Sequence, residues 1–222
     1  MRRVLTPELM DDPGVPRDDL ALSLRYIRAV NRRLGGVSSL LFHLHGWSRD
    51  WPKGRPITLL DIATGSADLP IAAVQWARRA GHDLRVTAVD LHPTTLDLAR
   101  EHIARTDSSD SCQTCHDCAA LSTVVPLARG AHAPPLSHPL SALIELRQAN
   151  ALHLMDHFAP ASFDYVHAGL FLHHLPEIEI LTVLRIMDRL SRAGLIWNDP
   201  VSYTHLRAHE TKANLVCRLL LE

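Results

Sequence analysis

Two aspartates and a turn of small residues are the part of this sequence best suited to ligand binding. Asp61 ends a short apolar run, and the small residues 63–67 follow it with Gly65 at their centre. A ligand can lie against bare backbone in such a turn, because no large side chain intervenes. Asp90 ends a second apolar run, and a carboxylate at that position can accept hydrogen bonds from both hydroxyls of a ribose. The spacing therefore indicates a site for a nucleotide-type cofactor.

The elements that must position these residues can be predicted from the same stretch. The apolar run Ile57–Leu60 predicts a buried parallel strand, and Leu84–Asp90 predicts a second strand. Between them, Asp68 is expected to cap a helix that has Pro70 in its first turn and ends at Gly81. Strand, turn, helix and strand together form the first unit of a doubly wound parallel sheet.

Four ordered segments of the chain resemble the motifs of class I S-adenosylmethionine-dependent methyltransferases. They are Leu59–Asp68, Ala88–Arg100, Gln148–Leu154 and Phe163–Glu177. The fourth segment contains His-His-Leu-Pro, which is similar to the branch that methylates small molecules such as quinones and natural products. The resemblance implies an α/β, Rossmann-like doubly wound parallel sheet, S-adenosylmethionine as cofactor, and methyl transfer to a small-molecule substrate.

The resemblance also assigns residues to the cofactor. The expected cofactor-binding residues are Asp61, Ala63, Thr64, Gly65, Ala67, Asp90, Leu91, Asn150, Ala151 and Ala168. Ala63 and Ala67 replace two glycines of the family motif, a mild change provided that the backbone there does not need a positive φ. Asn150 replaces an aspartate and can still accept a hydrogen bond from an adenine amine, with a loop-stabilising Asx turn as the alternative. Asp61 is expected to orient the turn through backbone N–H groups, with a cofactor-amine contact as the alternative.

Methyl transfer from a sulfonium requires alignment of the acceptor more than a protein nucleophile. A general base helps when the acceptor is a hydroxyl, and His173 and His174 follow the predicted fourth strand, beside the expected methyl position. The alternative is structural: His174 packs under the next helix, and His173 caps it or binds backbone. We expect no metal site.

Two other functions are compatible with parts of the sequence. An NAD-dependent oxidoreductase would share the strand–turn–helix unit and Asp90, but the Gly-x-Gly-x-x-Gly spacing and a Tyr-x-x-x-Lys pair are missing. A cofactor-binding but catalytically inactive module would explain the two replaced glycines and Asn150. Cofactor binding without turnover would identify that module.

Bulk composition favours an ordinary globular protein. The 222 residues carry 23 Lys and Arg, 24 Asp and Glu, and a net charge of −1, so nothing indicates nucleic acid as a partner. No apolar run is long enough to span a membrane. The first residues lack the apolar core of a signal peptide, so a cytoplasmic location is expected. The oligomeric state cannot be predicted.

Three regions follow from the patterns along the chain. Residues 1–52 are expected to form a loose arm and an N-terminal helical cap, and residues 53–200 the Rossmann-like domain. The two cap helices are expected either to pack on the sheet or to cover the substrate. Residues 201–222 resemble a translated sequencing adapter, so we expect no function there and a sheet that lacks the last strands of the family.

A disordered insertion is expected at residues 107–140, where no periodic pattern persists. It contains Cys112, Cys115 and Cys118, with His116 next to the second cysteine. Cys-x-x-Cys-His is the attachment pattern of c-type haem, and three thiols with a histidine could also bind zinc. We favour an incidental cysteine cluster, which leaves haem and zinc as alternatives.

Overall fold

The computed structural model describes residue 12 and the ranges 14–110 and 138–199. Within them, the chain forms one parallel five-stranded sheet with the order β3-β2-β1-β4-β5. The strands are β1 (Ile57–Ile62), β2 (Leu84–Asp90), β3 (Ile144–Gln148), β4 (Phe163–Gly169) and β5 (Ser191–Asn198). The first strand thus lies at the centre, and later strands are added outward on both sides of it, which confirms the predicted doubly wound sheet.

Helices cover both faces of this sheet. They are α1 (Arg17–Leu34), α2 (Gly36–Trp47), α3 (Asp68–Arg79), α4 (Pro93–Asp110), α5 (Leu140–Leu143) and α6 (Glu177–Leu190). Within the same described ranges, three short 3₁₀ turns occupy Ser48–Asp50, Ala151–Asp156 and Leu172–His174. No helix among the described residues is long and apolar enough to cross a membrane.

Successive residues of the central strands face opposite layers. Leu59 of β1 packs in the layer that contains α2 and α3, whereas Leu60 packs in the layer that contains α6. Both side chains are at most 1% exposed. Burial of alternate residues on both faces explains why β1 reads as a continuous apolar run rather than an alternating one.

The two N-terminal helices have different positions. Leu40, Leu41 and Leu44 of α2 belong to the same buried cluster as the sheet, so α2 is part of the core. The outer helix α1 buries Leu20 and Leu24 against α4 instead. Helix α2 therefore packs on the sheet, which was one of the two roles weighed for the cap. A cover over the substrate stays a prediction.

Two predicted boundaries near helix ends are wrong. Helix α3 begins at Asp68, with Ala67 in the capping position at φ 57°, so Asp68 lies in the first turn and does not cap. Helix α4 continues to Asp110, past the predicted start of the insertion at residue 107. Asp107 lies in this last part of α4, and its carboxylate accepts hydrogen bonds from the backbone N–H groups of Leu140 and Ser141 at 2.6 and 3.1 Å. The cysteine cluster and residues 201–222 lie outside the described residues.

A polar cluster joins the strands at their amino-terminal edge. Asp164 of β4 accepts hydrogen bonds from both terminal nitrogens of Arg55 at 2.8 Å. The backbone N–H and the hydroxyl of Thr58 in β1 donate to the same carboxylate at 2.9 and 3.0 Å. Burial alone would raise the pKa of Asp164, but the hydrogen bonds from Arg55 and Thr58 outweigh it and lower the pKa to about 2.

Candidate active site

A cavity of about 530 Å³ opens at the carboxyl ends of the strands. It lies where the strand order reverses between β1 and β4, which is the usual ligand position in doubly wound sheets. Helix α1 and the segments that follow β1, β2, β3 and β4 form its walls. Parallel topology therefore brings segments that are distant in sequence to one cavity.

Most of the residues predicted for the site border this cavity. Those on its wall are Asp61, Ala63, Thr64, Gly65, Asp90, Leu91, Asn150, Ala151 and His174. Ala67 and Ala168 are fully buried, and His173 lies beside the cavity without lining it. The structure thus brings nine of the predicted residues together and leaves these three outside the wall.

The turn after β1 has a left-handed backbone at three of its residues. Ala63, Gly65 and Ala67 have φ values of 54°, 54° and 57°. The condition under which alanine would be a mild replacement for glycine is therefore not met, because L-residues with a side chain are disfavoured in this region. The two alanines store backbone strain directly beneath the cavity.

Asp90 fastens this turn as well as facing the cavity. Its Oδ2 accepts a hydrogen bond from the backbone N–H of Gly65 at 3.0 Å, and its Oδ1 accepts one from the N–H of His92 at 3.1 Å. Burial raises the pKa of Asp90, whereas these two hydrogen bonds favour the ionised form. Each carboxylate oxygen can accept more than one hydrogen bond, so acceptor capacity remains for a ligand.

Asn150 stabilises its own loop, which was the alternative considered for it. Its Oδ1 accepts a hydrogen bond from the backbone N–H of Leu152 at 2.9 Å and caps the 3₁₀ turn after β3. Asn150 also borders the cavity. The side chain therefore shapes the loop and presents its remaining hydrogen-bonding capacity to the same space.

Asp61 binds a histidine rather than the turn. Its Oδ1 lies 2.6 Å from Nδ1 of His167, its neighbour on β4 in the parallel register. The expectation that Asp61 would bind N–H groups of the turn is wrong, because the N–H of Gly65 donates to Asp90 instead. Both side chains of the pair are at most 3% exposed.

Helix α1 forms one wall of the cavity through Leu24, Ile27 and Asn31. The amide of Asn31 donates a hydrogen bond to Oδ2 of Asp68 at 2.9 Å, which ties α1 to the start of α3. Burial raises the pKa of Asp68, and the hydrogen bond from Asn31 opposes that shift. Leu24 packs so closely over Gly65 that an added Cβ would lie 3.3 Å from its methyl group.

The two candidate catalytic histidines are adjacent but differently engaged. His173 is bound to Asp199, which follows β5, both through its backbone N–H at 3.0 Å and through a very short contact from its Nδ1. The rings of His173 and His174 lie 4.1 Å apart, and only His174 borders the cavity. His174 was expected, as the structural alternative, to pack under the next helix. It lies on the cavity wall instead.

Comparison with known proteins assigns the family. The sequence profile of the family described as "Methyltransferase domain" matches residues 60–195. The chain belongs to this methyltransferase family. Membership implies S-adenosylmethionine as the cofactor. No curated protein matches the sequence.

Solved structures of methyltransferases share the fold. The CurJ carbon methyltransferase superimposes with a TM-score of 0.56 at 12% identity, over 85% of this chain and 43% of that one. A candidate S-adenosyl-L-methionine-dependent methyltransferase from Methanococcus maripaludis has a TM-score of 0.50 at 12% identity, over 80% of this chain and 62% of that one. This methyltransferase chain therefore spans less than two thirds of the length of either structure.

The cavity also brings together residues that sequence reasoning missed. On the wall they include Leu24, Ile27, Asn31, Ser66, His92 and Glu179, and behind it lies His167. Leu24 and Ile27 belong to the apolar stripe of α1. That stripe could have indicated a helix that covers the cavity, but it does not tell which of its residues reach the cavity. No sequence signal pairs His167 with Asp61, because their contact depends on the register between β1 and β4.

The chain's own groups fit the implied cofactor. The hydroxyl of Thr64 is buried and has no hydrogen-bond partner among the described residues, although Thr64 lies on the cavity wall. Carboxylates at the ends of β1 and β2 suit a ligand that carries ribose hydroxyls and positive charge. No cluster that could hold a metal ion occurs in the described part of the chain.

Proposed function

We propose that this protein transfers the methyl group of S-adenosylmethionine to a small-molecule acceptor. The observation that carries the proposal is the single cavity that joins Asp90 and the turn after β1 to His174 after β4. A site for this reaction must hold the cofactor and the acceptor side by side, because the methyl group passes directly between them. The cavity has room for the cofactor beside Asp90 and the turn, and for the acceptor beside His174.

Cofactor-binding roles follow the order of the strands. Asn150 after β3 would contact the adenine, and Asp90 at the end of β2 would accept hydrogen bonds from the ribose hydroxyls. The turn 63–67 would let the cofactor approach the backbone. The cofactor supplies an activated methyl group, so the protein's contribution is binding, orientation and exclusion of water.

His174 is the proposed base for an acceptor that must lose a proton. Its position on the cavity wall supports this role, and the adjacent ring of His173 is fixed by Asp199. His173 would therefore act as a positioning residue that packs against His174. Neighbouring apolar residues, Phe171 and Leu175, would exclude water from the acceptor.

The charges on the wall restrict the acceptor. Four carboxylates border the cavity, those of Asp61, Asp68, Asp90 and Glu179, and no lysine or arginine among the described residues does so. These carboxylates favour cationic and neutral groups next to them and disfavour a phosphate or a carboxylate on the acceptor. We therefore propose a neutral or cationic acceptor, such as a phenol or an amine. The cytoplasmic location and the absence of nucleic acid as a partner stay predictions.

Calorimetric titration tests the cofactor class. S-adenosylhomocysteine and, separately, NADH would be titrated into the wild-type chain, into Asp90→Ala, and into the control Asp97→Ala, whose side chain is exposed on α4. We expect binding of S-adenosylhomocysteine alone, weakened about 100-fold in Asp90→Ala because charged hydrogen bonds contribute roughly 1.5–3 kcal/mol each. The control should bind like the wild type.

Other outcomes favour other functions. Binding of NADH instead would support the oxidoreductase. Binding of S-adenosylhomocysteine without methyl transfer to any member of a panel of phenols and amines would support an inactive cofactor-binding module. A folded chain that binds neither ligand would contradict the proposal.

A further inference from the structure

His167 has one engaged ring nitrogen and one without a partner. Its Nδ1 lies 2.6 Å from Oδ1 of Asp61, and its side chain is 0% exposed. Its Nε2 is buried and has no hydrogen-bond partner in the part of the chain that the structure describes. A proton on Nε2 would therefore be a buried, unpaired donor. A carboxylate can only accept hydrogen bonds, so Nδ1 of His167 donates its N–H to Asp61.

Asp61 has His167 as its one side-chain partner in the described part of the chain. No lysine or arginine among the described residues forms a salt bridge with Asp61, although its side chain is only 3% exposed. Asp61 borders the cavity, and hydrogen bonding to His167 uses only its Oδ1. A buried carboxylate needs donors for both of its oxygens, so the site is suited to a ligand that brings a positively charged donor.

The strand order indicates which part of the cofactor brings that charge. Asn150, Asp90 and Asp61 follow β3, β2 and β1, which are neighbours in the sheet. With the adenine at Asn150 and the ribose at Asp90, as the proposed function has it, the amino-acid portion extends over β1 and β4. We propose that His167 is a positioning residue, which holds the carboxylate of Asp61 for the ammonium group of the cofactor's amino-acid portion.

Packing around the ring supports a positioning role. A Cβ added at Gly169 would lie 3.0 Å from Cε1 of His167 and 3.2 Å from a methyl group of Leu69. The imidazole is therefore confined between β4 and α3, and its hydrogen bond confines the carboxylate in turn. A carboxylate held in one orientation loses less conformational entropy when the ligand binds.

A pair of related ligands tests the proposal. S-adenosylhomocysteine carries the amino-acid portion, whereas 5′-methylthioadenosine lacks it and keeps the adenine, ribose and sulfur. Both would be titrated into the wild type and into His167→Phe and His167→Leu, which remove the donor, and His167→Asn, which can still donate from its amide nitrogen. We expect the two apolar variants to weaken S-adenosylhomocysteine about tenfold or more and 5′-methylthioadenosine less than about threefold. His167→Asn should restore most of the affinity for S-adenosylhomocysteine.

Asp61→Asn provides an independent arm, because it removes the charge and keeps the size of the side chain. It should weaken S-adenosylhomocysteine selectively, whatever the stability of the His167 variants. Equal weakening of both ligands in the folded variants, or no weakening of either, would overturn the positioning role while leaving the proposed function intact. Failure of the folded wild type to bind S-adenosylhomocysteine would overturn the proposed function and this inference together.

Discussion

The carboxylate of Asp90 accepts a hydrogen bond from the backbone N–H of Gly65 at 3.0 Å, so the end of β2 holds the turn that follows β1. The residue proposed for ribose binding is thus also a structural support. Its second oxygen binds the N–H of His92 in the same way. Substitution of Asp90 must therefore affect stability as well as ligand binding, and the two effects can be separated.

Asp90→Ala should lower the free energy of unfolding by about 1–3 kcal/mol, because two backbone N–H groups lose their acceptor. Asp90→Asn keeps one oxygen acceptor and should lose less stability while still binding S-adenosylhomocysteine more weakly. Urea denaturation of both variants measures the stability, and titration measures the affinity. Equal stability of Asp90→Ala and the wild type would contradict the supporting role.

Ala63→Gly should stabilise the chain by roughly 0.5–1 kcal/mol, because the relief of left-handed strain exceeds the entropic cost of glycine. Ala161 is a matched control, since it also has a positive φ, 53°, but is exposed and lies outside the cavity wall. Urea midpoints of Ala63→Gly and Ala161→Gly should both rise, at unchanged m. A fall for Ala63→Gly beside a rise for Ala161→Gly would show that the side chain at residue 63 contributes more by packing than it costs in strain.

Asp164→Asn should destabilise the chain by about 1–2 kcal/mol near neutral pH, because the buried hydrogen bonds from Thr58 lose their charged acceptor. The pKa of Asp164, lowered to about 2, lies below the ordinary aspartate value near 3.9. Its stabilisation is therefore fully present above about pH 4 and is lost as the pH falls towards 2. The difference in unfolding free energy between wild type and variant should shrink across that window.

The exposed Asp97 provides the control for this pH dependence. Its ion pair with Arg100 lies on the surface of α4, so Asp97→Asn should change stability by less than about 0.5 kcal/mol. A difference between wild type and Asp164→Asn that stays constant from pH 4 to pH 2 would contradict the assigned role of the carboxylate.

Gly169→Ala should weaken S-adenosylhomocysteine several-fold, because the added Cβ would lie 3.0 Å from the ring of His167 and force it to shift. The affinity for 5′-methylthioadenosine should change less. Gly46→Ala is a suitable control, since an added Cβ there meets nothing within 4 Å. Unchanged binding of both ligands by Gly169→Ala would indicate that the ring can move without consequence.

Elements with a strong local pattern could be predicted from the sequence. Strand β2, Leu84–Asp90, has the predicted bounds, because apolar periodicity and flanking residues both mark it. The predicted cap of α3 and the predicted start of the insertion were wrong. Contacts between residues that are distant in sequence, such as that of Asp107 with Leu140, leave no local signal in the sequence.

Some residues of the site could also be predicted from the sequence, and others could not. Residues at strand ends, such as Asp90, could be placed on the cavity from topology alone. The left-handed backbone of Ala63 could not be predicted, since alanine itself gives no signal for it. The pairing of Asp61 with His167 requires the register of two strands that are far apart in sequence, and neither motif contains that information.

The contact of Asp107 with the N–H groups of Leu140 and Ser141 has an evolutionary consequence. It joins the end of α4 directly to the start of α5. The position of β3, which follows α5, is therefore fixed by this contact and not by the number of residues between the two helices. Insertions and deletions at this place can therefore accumulate while the cavity at the other end of the strands keeps its shape.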